Sequence, residues 1–135
     1  MYIANTKHEL MKNLITAFSF FLAFNLGSFA QTSGPKIEFK SSVIDYGEIS
    51  RGSDGIRVFT FVNNGDKPLE ITKVYSSCGC TIPKKPEAPI PPGETGEIQV
   101  KYDTNRLGPI RKTITVNSNS AETPIVSLKI KGVVQ

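Results

Sequence analysis

The sequence predicts an all-β domain, folded as an antiparallel sandwich of about seven short strands. After residue 31, apolar and polar residues alternate with a period of two in several short runs, and no window shows a helical period. Gly, Pro and Asn residues separate these runs. Seven such runs in one domain-sized segment are typical of an immunoglobulin-like sandwich, and a small closed barrel is the alternative.

The clearest alternation lies in residues 97–103, where Ile98, Val100 and Tyr102 share one face of the predicted strand. One charged face on each strand indicates sheets that are covered on one side only. Lys129 and Lys131 lie on the polar face of the last run, and we interpret them as guards against edge-to-edge pairing. The predicted strands are 36–39, 43–46, 56–62, 69–75, 97–103, 111–117 and 126–131.

Two connections carry strong local signals. The Asn-Gly step within 63–65 is typical of a β-hairpin turn, which would join the runs 56–62 and 69–75. Residues 83–92 hold five prolines, four of them at every third position, which predicts an extended polyproline II segment. That segment would cross between the sheets or run along an edge, and recognition by a proline-binding groove is the alternative.

The first 30 residues have the pattern of a signal peptide. A positive start at Met11-Lys12 precedes the apolar run 14–24, and small residues follow up to Ala30. We expect cleavage after Ala30, a single domain over 31–135, and a periplasmic or secreted location. The apolar run is too short to span a bilayer, so we expect no retained membrane span; a retained anchor is the alternative. Translation is expected to begin at Met11.

The composition argues against two classes of function. The net charge of the chain is only +4 and its basic residues are scattered, whereas nucleic-acid proteins concentrate theirs. The only histidine, His8, lies in the predicted signal peptide, so Ser76 and Ser77 lack a histidine base. We therefore predict no enzyme, no catalytic residue, no cofactor and no nucleic-acid partner. Five carboxylates are interpreted as solvated surface groups: Glu38, Asp45, Glu70, Glu97 and Asp103.

Cys78 and Cys80 are the only cysteines, and Gly79 separates them. A disulfide would close a loop of three residues and contribute only about 1.6 kcal/mol, against about 3 kcal/mol for fifteen residues. Residues i and i+2 of a strand are about 6.6 Å apart, near the upper limit for a bridged pair, so the backbone must bend. Gly79 would allow that bend.

Two further interpretations of the pair stay open. The thiols could face the core as small apolar groups. Alternatively Cys78 and Cys80 could bind a soft metal such as Cu(I) or do redox work, although two thiols fall short of a four-ligand zinc site. A reactive thiol needs a polarising group, and Lys84 and Lys85 are the nearest candidates in the sequence.

Several motifs together resemble a bacterial family, the domain of unknown function 1573, related in pattern to Hydin-type and major-sperm-protein-like immunoglobulin modules. The motifs are Asp45-Tyr-Gly-Glu-Ile49, Phe61-Val-Asn-Asn-Gly65, Pro68-Leu-Glu-Ile71, Ser77-Cys-Gly-Cys-Thr81, Pro91-Pro-Gly93 with Ile98-Gln-Val100, and Ile130-Lys-Gly132. The resemblance implies a seven-stranded, exported immunoglobulin-like sandwich without established catalytic activity. It places Cys78 and Cys80 on the family's cysteine pair.

The expected function is therefore an exported, non-enzymatic module that binds an unidentified protein or cell-envelope component. The alternative is thiol-redox chemistry or copper binding through Cys78 and Cys80.

Overall fold

The computed structural model describes residues 33–135, which form eight β-strands and no helix. The strands are β1 (Ile37–Phe39), β2 (Val43–Ile49), β3 (Ile56–Asn63), β4 (Ile71–Ser76), β5 (Thr81–Lys84), β6 (Thr95–Tyr102), β7 (Gly108–Ser118) and β8 (Ile125–Val134). Seven of them correspond to the predicted runs, and β5 is additional.

The strands form two four-stranded sheets. Sheet A has the order β1-β3-β6-β5, and sheet B has the order β2-β8-β7-β4. Neighbouring strands are antiparallel, except that β2 runs parallel to β8. β1 and β2 follow each other along the chain but lie at the edges of different sheets. The predicted sandwich is confirmed, and the alternative of a closed barrel is wrong.

The core lies between the sheets and follows the alternation read from the sequence. In β6, Ile98, Val100 and Tyr102 are buried while the intervening residues are exposed. Burying a large apolar side chain contributes about 1.5–3 kcal/mol. The largest fully buried apolar side chains are Phe59, Phe61, Leu69, Ile98, Val100, Ile110, Ile114, Val116, Leu128 and Ile130.

The predicted hairpin at residues 63–65 is wrong, because β3 and β4 lie in different sheets. The side chain of Asn63 is fully buried and organises a crossing loop instead. Its Nδ2 donates to the carbonyl oxygens of Lys67 (2.7 Å) and Ile90 (2.9 Å). Its Oδ1 accepts from the N–H groups of Lys36 (3.2 Å) and Gly65 (3.0 Å). The two non-local contacts, with Lys36 and Ile90, override the local turn preference.

The predicted polyproline II segment is wrong at its start, because Pro83 belongs to β5, an edge strand paired with β6. The N–H of Asp103 donates to the carbonyl of Cys80 at 2.8 Å, and the alternation of an antiparallel ladder then turns the backbone of Pro83 to the open edge. Proline is tolerated there because it has no N–H to leave unpaired. It also weakens the edge as a template for strand addition.

The interpretation of Lys129 and Lys131 as edge guards is also wrong. β8 lies between β2 and β7 in sheet B, so both of its edges are already paired. The two lysines are exposed on the outer face of a central strand.

The signal peptide, its cleavage after Ala30 and the start at Met11 fall outside the described residues. Within residues 33–135, no helix combines the length and the apolar character that crossing a membrane requires.

Candidate functional site

The cysteine pair lies where the chain crosses between the sheets. β4 ends at Ser76 in sheet B and β5 begins at Thr81 in sheet A, so residues 77–80 form the connection, which we call the cysteine turn. The N–H of Ser77 donates to the carbonyl of Thr113 at 3.0 Å on one side. On the other side, the N–H of Asp103 donates to the carbonyl of Cys80. Both ends of the turn are therefore fixed to neighbouring strands.

Cys78 and Cys80 come together in this turn, with their sulfur atoms at bonding distance and their Cα atoms 5.4 Å apart. This spacing is shorter than the roughly 6.6 Å of an extended strand, because the backbone bends in a turn, as a close pair requires. Cys80 is buried in the core with 4% of its surface exposed, whereas Cys78 is half-buried at the edge of the core. The N–H of Cys80 donates to Sγ of Cys78 at 3.3 Å. The oxidation state of the pair stays a prediction.

Gly79 does not have the role expected from the sequence. Its φ angle is not positive, and a methyl group built on it would meet nothing within 4 Å. The bend that brings the two cysteines together is thus open to residues with a side chain.

Lys84 and Lys85 do not turn back towards the cysteines. Lys84 is the last residue of β5, opposite Gln99, and an extended strand carries it about 13 Å from Cys80. Along β7, the residue after Lys112 is Thr113, whose N–H donates to Ser77 Oγ at 3.3 Å. Half-buried Lys112 is therefore the lysine that the register of β4 and β7 brings beside the cysteine turn. Sequence distance alone did not identify it.

The residues considered for metal binding or acid–base catalysis do not form a common site. Within residues 33–135, no group of three or more His, Cys, Asp and Glu side chains is arranged to hold a metal ion, so Cys78 and Cys80 bring no further ligand of these types. The carboxylates interpreted as surface groups are exposed: Glu38, Asp45, Glu70, Glu97 and Asp103.

Sequence reasoning missed a buried tyrosine at the same end of the sandwich. Tyr46 is 6% exposed, and its hydroxyl donates to the carbonyl of Gly55 at 2.7 Å. The guanidinium carbon of Arg57 lies 4.3 Å from the centre of the Tyr46 ring. Burial raises the pKa of Tyr46, and the positive charge of Arg57 partly opposes that rise. The sequence did contain one sign of this burial, since Tyr46 shares the inward face of its alternating run with Ile44.

Comparison with known proteins identifies the family. The profile of the family described as protein of unknown function DUF1573 matches residues 37–134. The chain belongs to this family. No curated protein matches the DUF1573 chain in sequence.

Solved structures support the fold. The DUF1573 chain is similar to a protein of unknown function from Porphyromonas gingivalis W83, with TM-score 0.67 and 18% identity over 81% of this chain. It spans about half of that protein, 51% of its length. A PapD-like (ASH) domain of human CEP192 gives TM-score 0.57 and 10% identity over 74% of this chain and 85% of that one. The CupB2 chaperone of Pseudomonas aeruginosa gives TM-score 0.53 and 6% identity over 72% and 55%. At these identities the likeness concerns the fold alone.

Proposed function

We propose that this DUF1573 chain is an exported, non-enzymatic module that binds an acidic segment of another protein through the outer face of sheet B. The observation that carries the proposal is a cluster of positive side chains on β7 and β8, the two central strands of that sheet. We call Arg111, Lys129 and Lys131 the basic cluster.

The register sets these side chains side by side. Arg111 lies opposite Lys131, and Thr113 lies opposite Lys129. On the other side of β8, Val43 of β2 lies opposite Lys129, and Asp45 lies opposite Lys131. Side chains directly opposite across a pair of strands have Cβ atoms about 4.5–5.5 Å apart. The three positive groups therefore share one small area of the face.

This arrangement has no evident role in stability. Like charges directly opposite each other in a sheet are destabilising, and Arg111 faces Lys131. Among the described residues, the ion pair that offsets the basic cluster is Lys131 with Asp45, at 3.7 Å and with both side chains more than half exposed. Exposed pairs of this kind contribute about 0–1 kcal/mol. Since β8 has no free edge, edge protection does not explain the lysines either.

A shallow groove runs through the cluster. Its volume is about 380 Å³, and Val43 adds an exposed apolar surface to the charged lining. A groove with cations beside an apolar side chain suits an extended peptide that alternates acidic and apolar residues. Charge complementarity of this kind gives specificity and speeds association.

Two observations support a binding role over catalysis. The carboxylates of residues 33–135 that could serve as acid or base are all exposed, and none has the buried environment that tunes a group for proton transfer. The domain segment also lacks histidine, the side chain most used for proton transfer near neutral pH.

The binding test uses a fluorescein-labelled peptide of glutamate and valine residues, followed by anisotropy, with NMR shift changes to map the site. We expect Arg111→Glu/Lys129→Glu to weaken binding about tenfold or more, and higher salt to weaken binding by the wild type. The matched control, Lys84→Glu/Lys101→Glu, makes the same charge change on the outer face of sheet A. Equal loss in both variants would overturn the proposal. Binding to phosphatidylglycerol vesicles without peptide binding would also overturn it, in favour of a lipid partner.

Export has a separate test. The intact mass of the protein recovered from the periplasm of a bacterial host should correspond to a chain that begins at Gln31. A chain that retains residues 1–30 and stays with the membrane fraction would contradict export by cleavage after Ala30.

A further inference from the structure

Gly79 stands apart from the other glycines in the family motifs. Gly47 and Gly93 have positive φ angles of 66° and 80°. A methyl group on Gly65 would overlap the carbonyl oxygen of Gly34, and one on Gly132 would press on the β2 backbone. Each of these positions requires glycine for a structural reason, but Gly79 does not. Because Gly79 has no side chain, the solvent side of the cysteine turn is uncovered.

The two sulfur atoms of the turn have different environments. Cys80 is buried, so the half-buried Cys78 is the one open to a reagent from solvent. The N–H of Cys80 donates to Sγ of Cys78, and a hydrogen bond of this kind stabilises the thiolate relative to the thiol. The Oγ1 atom of Thr81 lies 3.9 Å from Sγ of Cys80, within reach of a weak bond to sulfur.

A Cys78–Cys80 disulfide would also contribute little to the stability of the fold, because it closes a loop of only three residues. We propose that the Cys78–Cys80 pair is a thiol–disulfide exchange site whose reaction partner is an exported protein with two thiols. Cys78 is the sulfur that the partner attacks, and Cys80 is the leaving sulfur. This activity needs no acidic segment, so it stands independently of the basic cluster.

The exchange balances in two steps. A partner thiolate attacks Sγ of Cys78, the Cys78–Cys80 bond breaks, and Cys80 leaves as a thiolate that takes a proton from water. The second partner thiolate then attacks the partner's first sulfur, and Cys78 leaves as a thiolate held by the Cys80 N–H. The partner dithiol is oxidised to a disulfide, and Cys78 and Cys80 are reduced to two thiols.

Glutathione serves as the probe, with the exported full chain and two single variants. Oxidised glutathione should form a mixed disulfide with Cys80→Ser, which retains Cys78, about tenfold or more faster than with Cys78→Ser, as access and thiolate character predict. Acid quenching and intact mass give both rates, and far-UV circular dichroism confirms that the variants are folded. Equal rates, or adducts that form only after denaturation in both variants, would overturn the proposal.

A second measurement keeps the test valid if a cysteine variant does not fold. Dithiothreitol should reduce the wild-type pair while the protein stays folded, and Gly79→Val should slow that reduction several-fold by covering Cys78. The melting temperature of Gly79→Val should stay close to that of the wild type, because a Cβ atom at this position meets open space. Reduction that requires unfolding, or an unchanged rate in Gly79→Val, would count against an exchange site.

Discussion

Gly132 of β8 lies against the backbone of Gly47 in β2, so that a methyl group on Gly132 would sit 2.8 Å from the Gly47 carbonyl oxygen. β2 bulges between Asp45 and Glu48, and Gly47 adopts a φ of 66° within that bulge. Two motifs far apart in the sequence, Asp45–Ile49 and Ile130–Gly132, are therefore one structural unit. Gly132 permits the close approach because it has no side chain, and Gly47 permits the bulge through its positive φ.

Gly132→Ala should lower the free energy of unfolding by about 2–4 kcal/mol. Overpacking costs about 1–3 kcal/mol, and the φ of 149° at Gly132 adds strain of about 1 kcal/mol for a residue with a Cβ. Urea unfolding followed by circular dichroism measures the change. Gly79→Ala is the matched control and should stay within about 0.5 kcal/mol of the wild type. Equal effects of the two substitutions would contradict the packing described here.

Asn63→Ala should be among the most destabilising polar substitutions. It removes the four hydrogen bonds of the buried amide, which join the crossing loop to Lys36 and Ile90. Since a hydrogen bond contributes about 0.5–1.5 kcal/mol net, we expect a loss of about 3 kcal/mol or more. Thermal unfolding tests this, with the exposed neighbour Asn64→Ala as control. A melting temperature shared by the two variants would show that the Asn63 bonds contribute little.

Tyr46 should make stability depend on alkaline pH. Burial raises the pKa of Tyr46 in the folded protein above its ordinary value of 10. The folded state then holds the phenolic proton more tightly, so this contribution to stability is complete below about pH 10 and is lost as pH rises through the higher pKa. Tyr46→Phe should cost about 1 kcal/mol at neutral pH through the lost bond to Gly55. It should also flatten the fall in stability above pH 10.

Urea unfolding at pH 8 and at pH 11 measures that slope. Tyr75→Phe, at a position 45% exposed, is the control and should retain the wild-type pH dependence. An identical slope in Tyr46→Phe and the wild type would be evidence against the role of Tyr46.

Pro83→Val should promote self-association rather than unfolding. The substitution introduces an N–H on the open side of β5, and an exposed edge with unpaired donors and acceptors is a template for another strand. Sedimentation velocity over a range of concentrations should show dimers or larger species in Pro83→Val. The control, Pro89→Val at an exposed position in the following loop, should leave the protein in the same oligomeric state as the wild type. A monomeric Pro83→Val would mean that this proline does not protect the edge.

The regular strands could be predicted because their signal is local. In residues 97–103 each apolar residue is buried and each polar one is exposed, so the alternation already defines both faces of β6. β5 could not be predicted, since Pro83 counts against a strand unless the residue is known to face an open edge. The hairpin prediction failed for a related reason: Asn63 bonds to Ile90, 27 residues away, and that partner is invisible in a local window.

The candidate sites show the same division. The sequence singled out Cys78 and Cys80 by their spacing, and it placed Lys129 and Lys131 on a polar face. It misjudged what surrounds them, because Lys84 is near the cysteines in sequence, whereas the folded chain sets Thr113 of β7, the neighbour of Lys112, against the start of the cysteine turn.

The fold class and the face of each regular strand follow from the sequence alone, because alternation and turn residues act over a few neighbouring positions, and the motifs point to the family. Which strands are central, which sulfur is buried and which charges lie side by side became known from the folded arrangement. Those properties depend on pairing between residues distant in sequence. The alternation that marks Lys131 as exposed contains no information that Arg111 is the residue opposite it.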